Sequence, residues 1–265
     1  MRISQTAFDF IVEQETGGQK VYERTEQATD WPGGPSGVTI GIGYDCGYCS
    51  ATQIGSDWGG KLPSSMITSL QTTAGIVGDP AQSAAQRIKS SVSVPWTVAI
   101  DVFRSVDIPR WEAIVYHALP NADALAPDSY GALVSLAFNR GASFDKSGDR
   151  YTEMRNIKQH MADKRFDLIP AEFRSMKRVW IGTSLEHDMT QRREAEAVLF
   201  EQGLKEHVGA IGTGQKPMTQ TQKDAIDARK TPPPAATPQR PDHEDGIPLW
   251  KRLFTFLDSP IGGKR

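Results

Sequence analysis

One short β segment stands apart in a chain whose other patterned stretches read as helices. Val38-Thr39-Ile40-Gly41-Ile42-Gly43-Tyr44-Asp45 alternates β-branched and other residues, and it follows the turn cluster Trp31-Pro32-Gly33-Gly34-Pro35-Ser36-Gly37. That is the pattern of a strand bounded by turn signals. Ahead of it, Ala7 to Glu15 carries apolar residues at helical spacing. Thr6 or Ser4 stands where a cap is needed, and Gly17-Gly18 follows as a stop. Val21-Tyr22 reads as the start of an extended segment. A small β region inserted after the first helix is therefore expected.

From about Ala51 to Gln202 the pattern is helical. Ser64 to Val77 reads as one helix broken by Asp79-Pro80, and Ala81 to Lys89 as a weaker second. Trp96 to Ser105, Pro109 to Ala118, Arg150 to Ala162 and Pro170 to Val179 follow. Tyr130 to Phe138 is apolar nearly all round, which predicts a buried central helix. Met189 to Gln202 reads as the closing helix, with Gly203 at its end. The character then changes. Gly209 to Lys216 is glycine-rich and Thr231 to Pro241 is rich in Pro, Ala, Thr and Gln, the composition of an extended linker. Leu249, Trp250, Leu253, Phe254 and Leu257 share one helical face near the end. The expected organisation is a domain over 1–205, a linker over 206–245 and a short amphipathic segment over 246–265.

A length of 265 residues suits one well-buried domain with appendages, or two small ones. A formal net charge of −2 gives no reason to expect nucleic-acid binding. The two cysteines, Cys46 and Cys49, read as reduced thiols, a tight disulfide, a redox motif or half of a metal site, the first two favoured by the cysteine count. His117, His160, His187, His207 and His243 are scattered without metal-ligand spacing. The start of the chain lacks a secretory signal pattern, with Asp9 and Glu13 among its first apolar residues. No uncharged apolar run is long enough to span a bilayer. The expectation is synthesis in the cytoplasm, with delivery by something else if the substrate lies outside.

Glu15 and Asp45 bracket the β segment. Glycosidic-bond cleavage requires one carboxyl that stays protonated for the leaving oxygen and another that is ionised. A helix C-terminus disfavours a buried negative charge, so a desolvated Glu15 would hold its proton more tightly; the plain alternative is a solvated acid in a terminal turn. Gly41 and Gly43 suit a hairpin bulge, and they also allow a ligand close to the backbone. Asp45 alone could be a turn residue. Asn139 could close the turn after the central helix or bind an N-acetyl group. Arg192 and Arg193 precede Glu196 at helical spacing, which favours an intrahelical ion pair.

Glu-Thr-Gly-Gly-Gln-Lys-Val-Tyr (15–22) followed by Val-Thr-Ile-Gly-Ile-Gly-Tyr-Asp (38–45) resembles the catalytic opening of phage-type lysozymes, the glycoside hydrolase family 24 muramidases. Leu133 to Gly141 is similar to that family's central helix ending in Phe-Asn-x-Gly, and Met189 to Phe200 resembles its closing helix. The resemblance spans roughly Phe8 to Gly203. It implies an α+β lysozyme-like fold: a small β-hairpin region after the first helix, a mainly helical lobe and an extended C-terminal tail. It also implies a muramidase cleaving the β-1,4 bond between N-acetylmuramic acid and N-acetylglucosamine.

By the same resemblance Glu15 is the general acid and Thr39 positions the attacking water. Tyr22, Gly41, Gly43 and Asn139 contact substrate. The family's usual aspartate, two residues after the aromatic, is replaced by Arg24. In the related lysozyme-like domain of pesticin an aspartate lies just beyond the strand, and Asp45 matches it. Asp45 is therefore expected as the second acid, ahead of Glu23, Glu26 and Asp30.

No metal or organic cofactor is implied. The expected partners are peptidoglycan, an immunity protein, and a holin or a type VI secretion or phage delivery component reached through the C-terminal segment. Nucleic acid and stable membrane insertion are not expected. The readings set beside this one are a lytic transglycosylase and a non-catalytic wall-binding component of a phage tail or secretion machine.

Overall fold

The computed structural model describes residues 2–212, with side chains through residue 206. The expected linker beyond that point and the amphipathic segment 246–265 lie outside the described residues. The described chain is mostly helical with one two-stranded antiparallel sheet, and it divides into two compact units, residues 9–108 and residues 2–8 with 109–212.

The first unit takes in most of α1 (Gln5–Thr16) and everything to Ile108. Thr16 closes α1: its hydroxyl donates to the Val12 carbonyl at 2.8 Å and accepts the Gly18 amide at 3.0 Å. Gly17 and Gly18 have φ of 65° and 90°, values that a side chain would oppose. A second helix, α2 (Gln19–Thr25), starts immediately, with the Val21 and Tyr22 amides both donating to the Gly18 carbonyl. The extended segment expected at Val21-Tyr22 is therefore helical. Its β-prone residues yield to a tertiary contact. Tyr22 is fully buried, its ring centroid 5.3 Å from that of Trp96 and its hydroxyl donating to the Val94 carbonyl at 3.0 Å.

The β segment is a hairpin. β1 (Thr39–Ile40) pairs with β2 (Tyr44–Asp45) in the register Thr39 to Asp45 and Ile40 to Tyr44. Gly41 and Gly43, at φ 58° and 75°, make the turn between them. An isolated bridge extends it, with Asp30 and Thr39 exchanging backbone hydrogen bonds of 3.0 and 2.8 Å. Tyr44 fastens the hairpin to α3 (Ala51–Trp58), its hydroxyl donating to Asp57 at 2.7 Å and its ring meeting Trp58 edge-on. α4 (Ser64–Gln71) packs on α3 and ends earlier than the expected Val77. Asp79-Pro80 opens α5 (Asp79–Ile88), where a proline costs nothing because its missing N–H would have had no partner. Then follow α6 (Trp96–Val102) and a π-helical turn, Phe103–Asp107.

The second unit is a helical assembly around α8 (Pro127–Arg140), which is buried from Asp128 to Arg140 as its all-round apolar pattern predicts. α7 (Ile108–Ala118) precedes it. α9 (Thr152–Ala162), α10 (Ile169–Ser175) and α11 (Glu186–Gly212) follow. The start of the chain is tied in by Ser4, whose Oγ accepts the Ala7 amide at 2.9 Å and so caps α1. Glu112 accepts the Ile3 amide at 2.7 Å. The closing helix does not stop at Gly203. A Cβ there would lie 2.5 Å from the Ser129 backbone nitrogen, so the glycine lets α11 approach α8 rather than ending a helix.

Candidate functional site

Glu15 lies in the last turn of α1, 8% exposed. It is thus a buried acid and not a solvated one. Eleven residues on, Glu26 follows α2 as its C-cap, its amide donating to the Tyr22 carbonyl at 2.8 Å. Its side chain is 7% exposed, and Oε1 is buried without a hydrogen-bond partner. Burial pushes the Glu26 carboxyl up to about 8, and the negative charges of Glu15 and Asp30 push in the same direction. Two other acids of the first unit therefore act on Glu26 through space.

Glu26, Asp30, Thr39 and Gly41, with Thr25, Ala28 and Ile40, line a small open recess. The backbone holds these residues to one another. The Asp30–Thr39 bridge ties the segment after Glu26 to the hairpin, the Val94 amide donates to the Gln27 carbonyl at 2.7 Å, and the Thr29 hydroxyl donates to the Ala85 carbonyl at 2.9 Å. Thr39 is 2% exposed, and its hydroxyl makes only a long contact of 3.4 Å, to the Gly37 carbonyl.

Of the residues expected from sequence, the structure groups Thr39 and Gly41 on this recess, and Glu15 is near enough to act on it electrostatically. The others have different surroundings. Asp45 uses its carboxylate as a backbone clamp: Oδ1 and Oδ2 accept the Gly37 amide at 3.1 and 3.0 Å, and Oδ1 accepts the Gly47 amide at 2.9 Å. It thereby caps the 3₁₀ turn Cys46–Tyr48. Gly37 and Gly47 are glycines because a Cβ on either would come within 2.5 Å of the other's neighbourhood: Asp45 Oδ1 for Gly37, the Ile76 carbonyl for Gly47. Tyr22 is a core residue, with no surface for a ligand. Gly41 lines the recess, but its missing Cβ would point at Trp58, 3.1 Å away. Its left-handed backbone and that ring account for the glycine. Gly43 serves the hairpin turn.

Asn139 belongs to the second unit. Its Oδ1 accepts from Arg193 at 3.0 Å within a fully buried network in which Arg192 and Arg193 both pair with Glu196, as their spacing predicts, and Ser135 donates to Glu196 at 2.7 Å. Trp180 lies beside this group, with the Arg140 guanidinium 5.1 Å from its ring centroid. Cys46 and Cys49 are buried thiols that are not joined in a disulfide, and burial raises Cys46 well above the ordinary thiol range. Among the described residues no three His, Cys, Asp or Glu side chains are grouped to hold a metal ion, and no helix is long and apolar enough to cross a membrane.

From sequence alone Glu26 ranks behind Asp45 as the second acid. Its signal was conditional on the helix. Once 19–25 is helical, Glu26 stands four residues from the buried Tyr22 and so shares its inward face, while Glu23 and Arg24 face solvent. No family model matches the chain, and no curated protein matches it.

Proposed function

We propose that this chain is a peptidoglycan hydrolase that cleaves the β-1,4 bond between N-acetylmuramic acid and N-acetylglucosamine. The observation that carries the reading is the pair of buried acids Glu15 and Glu26, of which Glu26 feels the charge of Glu15 and lines a recess together with Thr39. Glycoside hydrolysis needs two carboxyls in opposite protonation states at the same pH, and burial together with like charge is what separates them. The sugar polymer is named from the resemblance of segments 15–22, 38–45, 133–141 and 189–200 to phage-type lysozymes. On this reading the protein acts on the cell wall or in the periplasm.

Glu15→Gln is the direct test. It should fold normally and lose turbidity reduction of permeabilised cells by at least about 100-fold, the range of a lost acid–base group. Lysis equal to that of the wild type would remove Glu15 from the mechanism. Mass spectrometry of the released fragments checks the reaction type, since anhydromuropeptides as main products would replace hydrolysis by transglycosylation.

A further inference from the structure

We infer that Glu26, and not Asp45, is the second carboxyl of the site, acting with Glu15. The inference rests on the glycosidase reading and deepens it. Three observations carry it. Glu26 lines the recess together with Thr39, and Asp45 does not. Glu26 Oε1 is more than nine-tenths buried with its hydrogen-bonding capacity unused, whereas both oxygens of Asp45 accept backbone amides. Buried polar atoms are rarely left without a partner, and a sugar hydroxyl or glycosidic oxygen supplies one. The third observation is electrostatic: Glu15 and Asp30 both act on Glu26.

The groups that face Glu26 are Glu15 from α1, Asp30 from the segment bridged to β1, and Tyr22 one turn back on α2, a phenol that burial and the Glu26 charge keep protonated. The charges of Glu15 and Asp30 that act on Glu26 are negative, so its ionisation is unfavourable and the pair enters the reaction with the proton on Glu26. In the reaction one member gives that proton to the glycosidic oxygen as the C–O bond breaks and its electron pair leaves with the oxygen. A water oxygen bonds to the anomeric carbon, and the proton it sheds passes to the other carboxylate. The pair ends with one proton, as it began. Thr39, beside Glu26 on the recess, is placed to hold the water.

The test compares Glu26→Gln, Glu26→Asp, Asp30→Asn and Asp45→Asn on purified sacculi, with melting curves for each. Glu26→Gln fills the same volume and removes only the ionisable oxygen. It should lose at least about 100-fold in rate with an unchanged fold, while Asp45→Asn stays within about tenfold of the wild type, below that range. Glu26→Asp should recover part of the rate, which a merely space-filling role would not require. Carboxyl NMR supplies a readout independent of activity: one glutamate signal should titrate near pH 8 in the wild type, vanish in Glu26→Gln and move down in Glu15→Gln. Glu26→Gln lysing at the wild-type rate, with Glu15→Gln inactive, would overturn this inference and leave the hydrolase reading standing. A wild type that releases nothing from sacculi would overturn the hydrolase reading, and the titration would still report whether the carboxyl pair exists.

Discussion

At the scale of single residues, the two aspartate and glutamate candidates beside the hairpin differ in what already occupies their oxygens. Asp45 is committed to the amides of Gly37 and Gly47, and a hydrogen bond to a charged acceptor is worth about 1.5–3 kcal/mol. Asp45→Asn cannot accept from both amides without turning an NH₂ group toward one of them. It should lower unfolding free energy by about 1–3 kcal/mol, measured in urea. Activity at low temperature should stay near normal. Glu26 has the opposite profile, with an oxygen to spare and no structural bond that depends on it being charged.

At the scale of elements, glycines decide which surfaces can approach. Gly203 lies inside α11, where alanine would ordinarily be favoured by about 1 kcal/mol. Its Cβ would overlap Ser129 of α8, at 2.4 Å from Oγ and 2.5 Å from the backbone nitrogen. Overpacking of that kind costs about 1–3 kcal/mol, so Gly203→Ala should destabilise despite its helix propensity, by thermal melting. The Ser129 hydroxyl, which donates to the Phe200 carbonyl at 2.7 Å, would be displaced with it. The same helix pair holds the buried Arg192–Arg193–Glu196 network. Glu196→Ala would leave two guanidinium groups without their carboxylate in a fully buried setting, and losing one partner of a buried ion pair costs about 3–5 kcal/mol. Chemical denaturation should register that loss.

At the scale of the whole molecule, Glu26 links stability to pH. Its carboxyl rises from the ordinary 4.5 to about 8 on folding. Between those values the folded chain therefore binds a proton that the unfolded chain has released. The contribution is fully present below about pH 4.5 and is lost as pH climbs through about 8. The loss should amount to a few kcal/mol, since each pKa unit is worth about 1.4 kcal/mol. Glu26→Gln should flatten this part of the profile and be more stable than the wild type at pH 9, by denaturant titration across pH 4 to 9. A wild-type profile that rises over this range would show that Glu26 ionises freely.

Periodicity and turn chemistry were sufficient for much of the architecture, because they are local. The capped first helix, the glycine-bearing hairpin, the buried α8 and the Arg–Glu spacing of α11 can all be read from neighbours in sequence. Val21-Tyr22 could not, since a β-prone pair became helical to seat Tyr22 against Trp96 and Val94. That one change of local structure moves Glu26 from a charged surface run to an inward face beside Glu15 and Thr39. The sequence by itself determined that acids flank a small β element. Only the tertiary structure decided which acid is buried with an unused oxygen and which is spent on backbone amides, because desolvation and hydrogen bonding depend on residues far apart along the chain.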